Sequence, residues 1–266
     1  MLRVFLFQTD PHKNGPDKNS PDKKDPPESA GADMHSPRRP SSRNKEGALI
    51  LLRAGLRAMG VSAPEACTPE AFFRTKDGKP HLPGLPGVHF NYSHSGGYIA
   101  CAFSDQEVGL DLQEHANLPT QRMRIARRFY TALEFRALQA CHSEQEQEEL
   151  FFRLWTIKEA YLKYIGCGLR GSLDSFLPES IYAFDSSSAD IPAPFPAERG
   201  RIHILSKPGH EFLTPAEYAV LPAPAGYTMT VSALSVPEKI LIQEVRRENG
   251  LPDAAARLSS PGKKLC

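Results

Sequence analysis

The sequence predicts an α+β chain, on two observations. Apolar residues recur at three- and four-residue steps in Ala48–Met59, Gln121–Gln139 and Phe151–Leu169, the spacing of helices with one buried face. Around them lie short segments that alternate apolar and polar residues and are bounded by Gly, Pro, Ser or Asp, the pattern of half-buried strands. Each half therefore has a helix followed by several strands, although no strong sequence repeat relates the halves. At 266 residues the chain holds one large domain or two small ones.

The elements follow in order. Leu2–Phe7 is rich in β-branched and aromatic side chains and suits an opening strand. From Asp10 to Lys45 the chain carries seven prolines and eight Lys or Arg with hardly an aliphatic residue, so burial cannot offset the entropy of ordering it. It reads as a disordered insertion. The helix Ala48–Met59 stops at Gly60 and carries Arg53 and Arg57 on one face. Thr75–Gly87 is punctuated by Gly and Pro and reads as loop, with Lys79 inside Gly78-Lys79-Pro80. A strand from Val88 then delivers Ser93-His94-Ser95 and Gly96-Gly97, where backbone can approach a ligand closely. Tyr98–Phe103 is the next strand. After a turn at Ser104–Gln106, Val108, Leu110 and Leu112 alternate with Gly109, Asp111 and Gln113, which sends Asp111 and Gln113 to one face and Glu114 to the other.

Further on, Gln121–Gln139 reads as one helix and the acidic stretch Cys141–Glu149 as an exposed connection. The helix Phe151–Leu169, ending at Gly166 and Gly168, sets Glu159 and Lys163 one above the other, with Lys158 about a quarter-turn away. By itself that arrangement is a surface ion pair worth roughly 0.2–0.5 kcal/mol. Strands are expected at Ile181–Asp185, Arg201–Leu205, Glu217–Leu221 and Tyr227–Leu234, then a helix at Glu238–Glu248 and a tail. In domain terms, 1–9 with 47–105 form an N-terminal half, 10–46 the insertion, 106–236 a C-terminal half, and 237–266 a terminal helix and tail.

A net charge of +1 argues against a nucleic-acid footprint. The apolar start is too short for a secretory or transmembrane segment, so a cytoplasmic monomer off the membrane is expected. Five scattered cysteines without CxxC spacing fit reduced thiols and support no sulfur-rich zinc site. Neither a P-loop nor GxGxxG occurs, and Tyr92-Ser93-His94-Ser95-Gly96 is no nucleophile elbow, since adjacent strand residues point opposite ways. What remains is a set of hard oxygen donors, Asp111, Gln113 and Glu159, which suits Mg²⁺ completed by water and phosphate. Lys79, His94, Lys158 and Lys163 are the groups that would face a phosphate. The combination points to phosphoryl-group chemistry.

Taken together, Gly78-Lys79-Pro80, Phe90-Asn91-Tyr92-Ser93-His94-Ser95-Gly96, Gly109-Leu110-Asp111-Leu112 and Trp155-Thr156-Ile157-Lys158-Glu159-Ala160, with Lys163 and Gly168-Leu169, resemble the 4′-phosphopantetheinyl transferases of the Sfp-like class. The resemblance runs from about Lys79 to Ser175 and implies two similar α/β halves packed as a pseudo-dimer with coenzyme A between them. It implies transfer of the phosphopantetheine arm to a serine of an acyl or peptidyl carrier protein, releasing 3′,5′-ADP. By position, Lys79, Pro80, Ser93 and His94 would bind the nucleotide end and Asp111, Gln113 and Glu159 would hold Mg²⁺. Glu159 would also accept the serine proton, while Lys158 and Lys163 would bind phosphate, Lys163 assisting the leaving group. Two departures weaken the match: Gln113 stands where many members have a second acid, and the basic residues expected before the first helix fall in the low-complexity stretch. They leave open a coenzyme A- or carrier-binding homologue with little turnover.

Overall fold

The computed structural model describes residues 1–9, 42–62, 73–74, 78–115, 119–168, 172–185, 195–205, 209 and 211–246. Most of the insertion, residues 10–41, and the tail from 247 lie outside them, as do Cys67 and Cys266; Cys101, Cys141 and Cys167 are free thiols. The α+β expectation holds. The N-terminal sheet has the order β11 (Leu241–Val245), β1 (Leu2–Gln8), β5 (Tyr98–Ser104) and β4 (His89–Ser95). The C-terminal sheet runs β6 (Val108–Glu114), β10 (Tyr227–Ala233), β9 (Glu217–Leu221), β8 (Arg199–Ile204) and β7 (Phe176–Pro178). Among the described residues only β1 and β11 pair in parallel; the other pairs are antiparallel.

Side-chain alternation sorts each sheet's two faces. Leu2, Val4, Ala100 and Ala102 of the first sheet meet Leu110, Leu112, Met229 and Val231 of the second, forming a core between the sheets. The outer face of the first sheet, with Phe5, Phe90 and Phe103, takes helix α1 (Ser42–Ala58) through Leu51, Leu52 and Leu56. A Cβ at Gly55 would strike the Phe103 ring, so this helix packs with its backbone against that ring. The outer face of β6 and β10 takes helix α4 (Glu144–Ile165), giving helix, sheet, sheet, helix in layers. Phe151, Trp155 and Tyr161 of α4 are buried in a second core with Tyr130 and Phe176, and Phe151 and Trp155 stack with centroids 6.1 Å apart. Each such side chain contributes roughly 1.5–3 kcal/mol of burial.

Four elements differ from their sequence expectation. The helix expected over Gln121–Gln139 is two, α2 (Pro119–Phe129) and α3 (Ala132–Gln139), because Thr131 adopts an extended conformation and closes a capping box with Glu134. The connection expected at Cys141–Glu149 is instead mostly the first turns of α4: Ser143 caps the Glu146 amide, and Glu144 and Glu146 face the positive helix end. Ile181–Asp185 belongs to helix α5 (Glu179–Asp185) rather than a strand, since so short an apolar-polar run suits either period and Pro178 ends β7 just before it. The terminal helix expected at Glu238–Glu248 is the strand β11, whose backbone pairs with the otherwise open edge of β1. Within the expected loop at Thr75–Gly87, β3 (Pro80–His81) pairs with β2 (Phe73–Arg74), and α1 begins five residues before the boundary at 47.

Candidate active site

Strands β4 and β6 end their respective sheets, and side chains on the inner face of β4 reach the open edge of β6. Instead of a backbone ladder, side chains of β4 occupy the edge of β6: the Leu110 amide donates to Asn91 Oδ1 at 3.2 Å, and the Glu114 amide to Ser95 Oγ at 2.9 Å. Between them Ser93 Oγ donates to Asp111 Oδ1 at 2.8 Å. Period-two alternation puts Asn91, Ser93 and Ser95 on one side of β4, and that side meets β6 in a parallel register. His94 points the other way and is exposed. Even so, the partial burial of its ring and the charge of Lys163 hold its pKa below the ordinary histidine value, with Asp111 opposing.

On the other face of β6 lies α4, drawn in to backbone contact. A Cβ at Gly109 would sit 2.9 Å from the Lys163 carbonyl carbon and closer still to the Ala160 oxygen and the Tyr164 nitrogen. This close approach lets Lys163 Nζ reach Asp111 Oδ1 at 2.7 Å and Ser93 Oγ at 3.0 Å. Asp111 is 1 % exposed, and Gln113 Nε2 donates to its Oδ2 at 3.3 Å. Glu159 completes the group: burial first, and then the Asp111 charge, push its pKa up to about 7 against the pull of Lys163. One turn earlier, Thr156 shares a 2.8 Å hydrogen bond with Thr230, the residue paired with Asp111 across β6 and β10, which fixes that side of the helix to the sheet.

Of the residues singled out in the sequence, Ser93, Asp111, Gln113 and Lys163 are thus joined by hydrogen bonds, and Glu159 and His94 lie near enough to feel the charges of Asp111 and Lys163. Lys79 lies further along α4: its ammonium donates to the Tyr164 carbonyl at 2.6 Å and pairs with Glu107, and burial lowers its pKa while Glu107 raises it. Pro80 is buried beside it. Lys158 stands apart. It is 0 % exposed, pairs with Glu134 Oε2 at 2.9 Å and donates to the Leu173 and Phe176 carbonyls at 2.6 Å each, on the side of α4 away from Asp111. Arg53 is half-buried and Arg57 exposed, both on α1. The residues not singled out were Asn91, Ser95 and Thr230 at the site and Glu134, the core partner of Lys158. The alternation of β4 carried the signal for the first two, and the Thr131-x-x-Glu134 pattern carried it for Glu134.

Among the described residues no cluster of three His, Cys, Asp or Glu assembles. The group present is two carboxylates and an amide. It suits a hard divalent cation that keeps waters and takes substrate phosphate oxygens, and the mutual repulsion of Asp111 and Glu159 is what such a cation would relieve.

Comparison with known proteins bears on this half of the site. Residues 107–220, from just before β6 into β9, match the model of the 4′-phosphopantetheinyl transferase superfamily. The chain is 41% identical over 105 residues to 4′-phosphopantetheinyl transferase Sfp of Bacillus subtilis (strain 168), covering 39% of this chain and 45% of that one. It is 39% identical over 108 residues to 4′-phosphopantetheinyl transferase psf-1 of Bacillus pumilus, covering 40% and 45%. It is 33% identical over 107 residues to L-aminoadipate-semialdehyde dehydrogenase-phosphopantetheinyl transferase of Xenopus laevis, covering 36% and 35%. The matches therefore span less than half the length of these relatives. Over the segment that carries Asp111, Gln113, Glu159 and Lys163, the likeness of this chain is to the 4′-phosphopantetheinyl transferase superfamily, and within it to transferases of the Sfp-like class.

Proposed function

We propose that the protein is a Mg²⁺-dependent 4′-phosphopantetheinyl transferase that moves the phosphopantetheine arm of coenzyme A to a serine hydroxyl of an acyl or peptidyl carrier protein and releases 3′,5′-ADP. The observation that carries this reading is the cluster of Ser93, Asp111 and Lys163, with Glu159 beside it, at the seam between the two sheets. The pseudo-dimeric arrangement belongs to the same reading and is supported by each half being a mainly antiparallel sheet covered by a helix on its outer face. So do the cytoplasmic location and monomeric state; no helix among the described residues is long and apolar enough to cross a membrane.

The residues divide the work by position. Asp111 and Glu159, with the Gln113 amide oxygen once its side chain turns, would hold Mg²⁺, which supplies charge neutralisation at the pyrophosphate oxygens. Lys163, whose Nζ lies between Asp111 and Ser93, would turn to the phosphate and steady the leaving oxygen. Glu159 is suited to accept the serine proton, because its carboxyl stands beside Asp111 and Lys163, where the serine must approach the phosphate. Exposed His94 and buried Ser93 would serve the nucleotide end. Lys79, bound to the last turn of α4, sets the entrance where Gly166 takes a left-handed cap. Attack is in line, so placing the serine and the bridging oxygen between these groups is most of the catalysis.

The test is direct. The purified protein is incubated with coenzyme A, Mg²⁺ and several apo carrier proteins, and each carrier is weighed by intact-mass spectrometry. A phosphopantetheine adduct is expected; no adduct on any carrier, with coenzyme A still bound, would replace this reading with a binding homologue.

A further inference from the structure

Lys158 precedes Glu159 in α4, yet its ammonium is 0 % exposed and is turned into the core, where its partners include Glu134, Leu173 O and Phe176 O. It also lies over the rings of Phe176 at 4.7 Å and Tyr130 at 5.8 Å. Glu134 is itself 0 % exposed. Its Oε2 accepts from the Thr131 amide at 2.8 Å, the Thr131 hydroxyl at 2.9 Å and Lys158, so the carboxylate is fixed to the start of α3 before the lysine reaches it. Burial pushes the Glu134 pKa up, and Lys158 and Thr131 pull it back down. A buried charged pair with this many fixed partners resists movement, because any displacement leaves a charge unpaired in the core.

We infer that Lys158 is a positioning residue: its pair with Glu134 and its two carbonyl bonds fix the rotation of α4 about its own axis, and thereby hold Glu159 against Asp111. The inference rests on the transferase reading and departs from the phosphate-binding role that position 158 has by resemblance. The opposite face of the helix is held by the Thr156–Thr230 bond and by the Gly109 contact, so the helix is gripped on both sides of Glu159. The geometry sets the scale. A side-chain tip lies about 6 Å from a helix axis, so a rotation of about 10° carries the Glu159 carboxylate about 1 Å, a displacement that costs on the order of 10²-fold in a positioned reaction.

The experiment compares the parent protein with Glu134→Gln, Lys158→Met and the double variant. Three quantities are read: coenzyme A affinity by calorimetry, kcat and KM for transfer by intact mass, and the emission of Trp155, the sole tryptophan, which sits one turn from Glu159. For Glu134→Gln, which keeps side-chain volume, we expect kcat to fall at least tenfold, coenzyme A affinity and KM to stay within threefold, and Trp155 emission to shift. For Lys158→Met we expect a lower melting temperature than for the double variant, since the single change strands the Glu134 charge. A tenfold or greater loss of coenzyme A affinity in Lys158→Met with kcat retained would make Lys158 a phosphate ligand and overturn the inference. So would a Glu134→Gln variant that melts lower but keeps its kcat and its Trp155 emission. Should Lys158→Met fail to fold, Glu134→Gln decides alone. A parent protein that transfers nothing sinks the transferase reading, and the Trp155 emission and melting temperatures then still decide whether the pair orients the helix.

Discussion

Gly109→Ala tests the close approach of β6 and α4. The new methyl would lie 2.9 Å from the Lys163 carbonyl carbon and nearer to the Ala160 oxygen and Tyr164 nitrogen, all of them helix backbone rather than a side chain that can swing away. Ordinary contact requires about 3.4 Å, so the helix must back off by about 1 Å or the strand must yield as much. Either movement separates Glu159 and Lys163 from Asp111, two residues along the strand from the substituted position. Overpacking of this kind costs roughly 1–3 kcal/mol, and a domain of this size loses about 2–4 °C per kcal/mol, so the melting temperature should fall by about 2–12 °C. Activity should fall further than stability explains: a displacement of about 1 Å at a positioned carboxylate costs on the order of 10²-fold in transfer. The assay is carrier mass gain at a temperature where the variant is fully folded, checked by circular dichroism. A Gly109→Ala protein that transfers within threefold of the parent would refute the claim that this contact sets the site.

The other expectations address the individual groups. Asp111→Ala and Glu159→Ala should each abolish measurable transfer and the double variant be little worse, because the two carboxylates act as one unit; near-additive, modest losses in a single-turnover assay would count against that. Gln113→Glu replaces a donor to Asp111 with a third negative charge, so the variant should melt lower than the parent in chelator and gain more from added Mg²⁺. Equal Mg²⁺ responses in a thermal-shift titration would place Gln113 away from the cation. Asn91→Ala strips the Leu110 amide of its buried acceptor, a loss of about 1–3 kcal/mol or roughly 2–12 °C in melting temperature, with transfer impaired as the seam loosens.

Much of the site was legible because it depends on short periods. Alternation alone put Asp111 and Gln113 on one face of β6, and a four-residue step aligned Glu159 with Lys163 on one face of α4. What alternation could not show was partner choice: Lys163 reaches across to Asp111 and Ser93, and Lys158, a quarter-turn away, goes into the core to Glu134. Whether a lysine faces water or a carboxylate 24 positions earlier is decided by tertiary packing, not by local pattern. The misread elements have the same origin. Acidic Glu144–Glu149 resembles a solvated connection until Ser143 is recognised as a cap, and β11 becomes a strand only because β1 offers it an edge. Gly109 could be read as a strand residue, but its purpose, contact with a helix fifty residues later, could not.

The placement of the site follows from how the two sheets end. An open strand edge exposes unpaired amides and carbonyls, and here the open edge of β6 meets side chains of β4 instead of a ladder. Asn91 and Ser95 satisfy amides of β6 with side-chain oxygens, and between those two bonds Ser93 meets Asp111. No single half of the chain contains the site: β4 contributes Ser93 and His94, whereas β6 and α4 contribute Asp111, Gln113, Glu159 and Lys163. The distance between these two sets is governed by the apolar layer between the sheets, where Ala100 and Ala102 oppose Leu110 and Val231. Enlarging one of those alanines, the cross-strand partners of Ser93 and Asn91, should therefore spread the seam and impair transfer with every site residue intact. If Ala102→Val left Ser93–Asp111 coupling and transfer unchanged while lowering stability, the sheets would be independent of the site and the seam would be incidental.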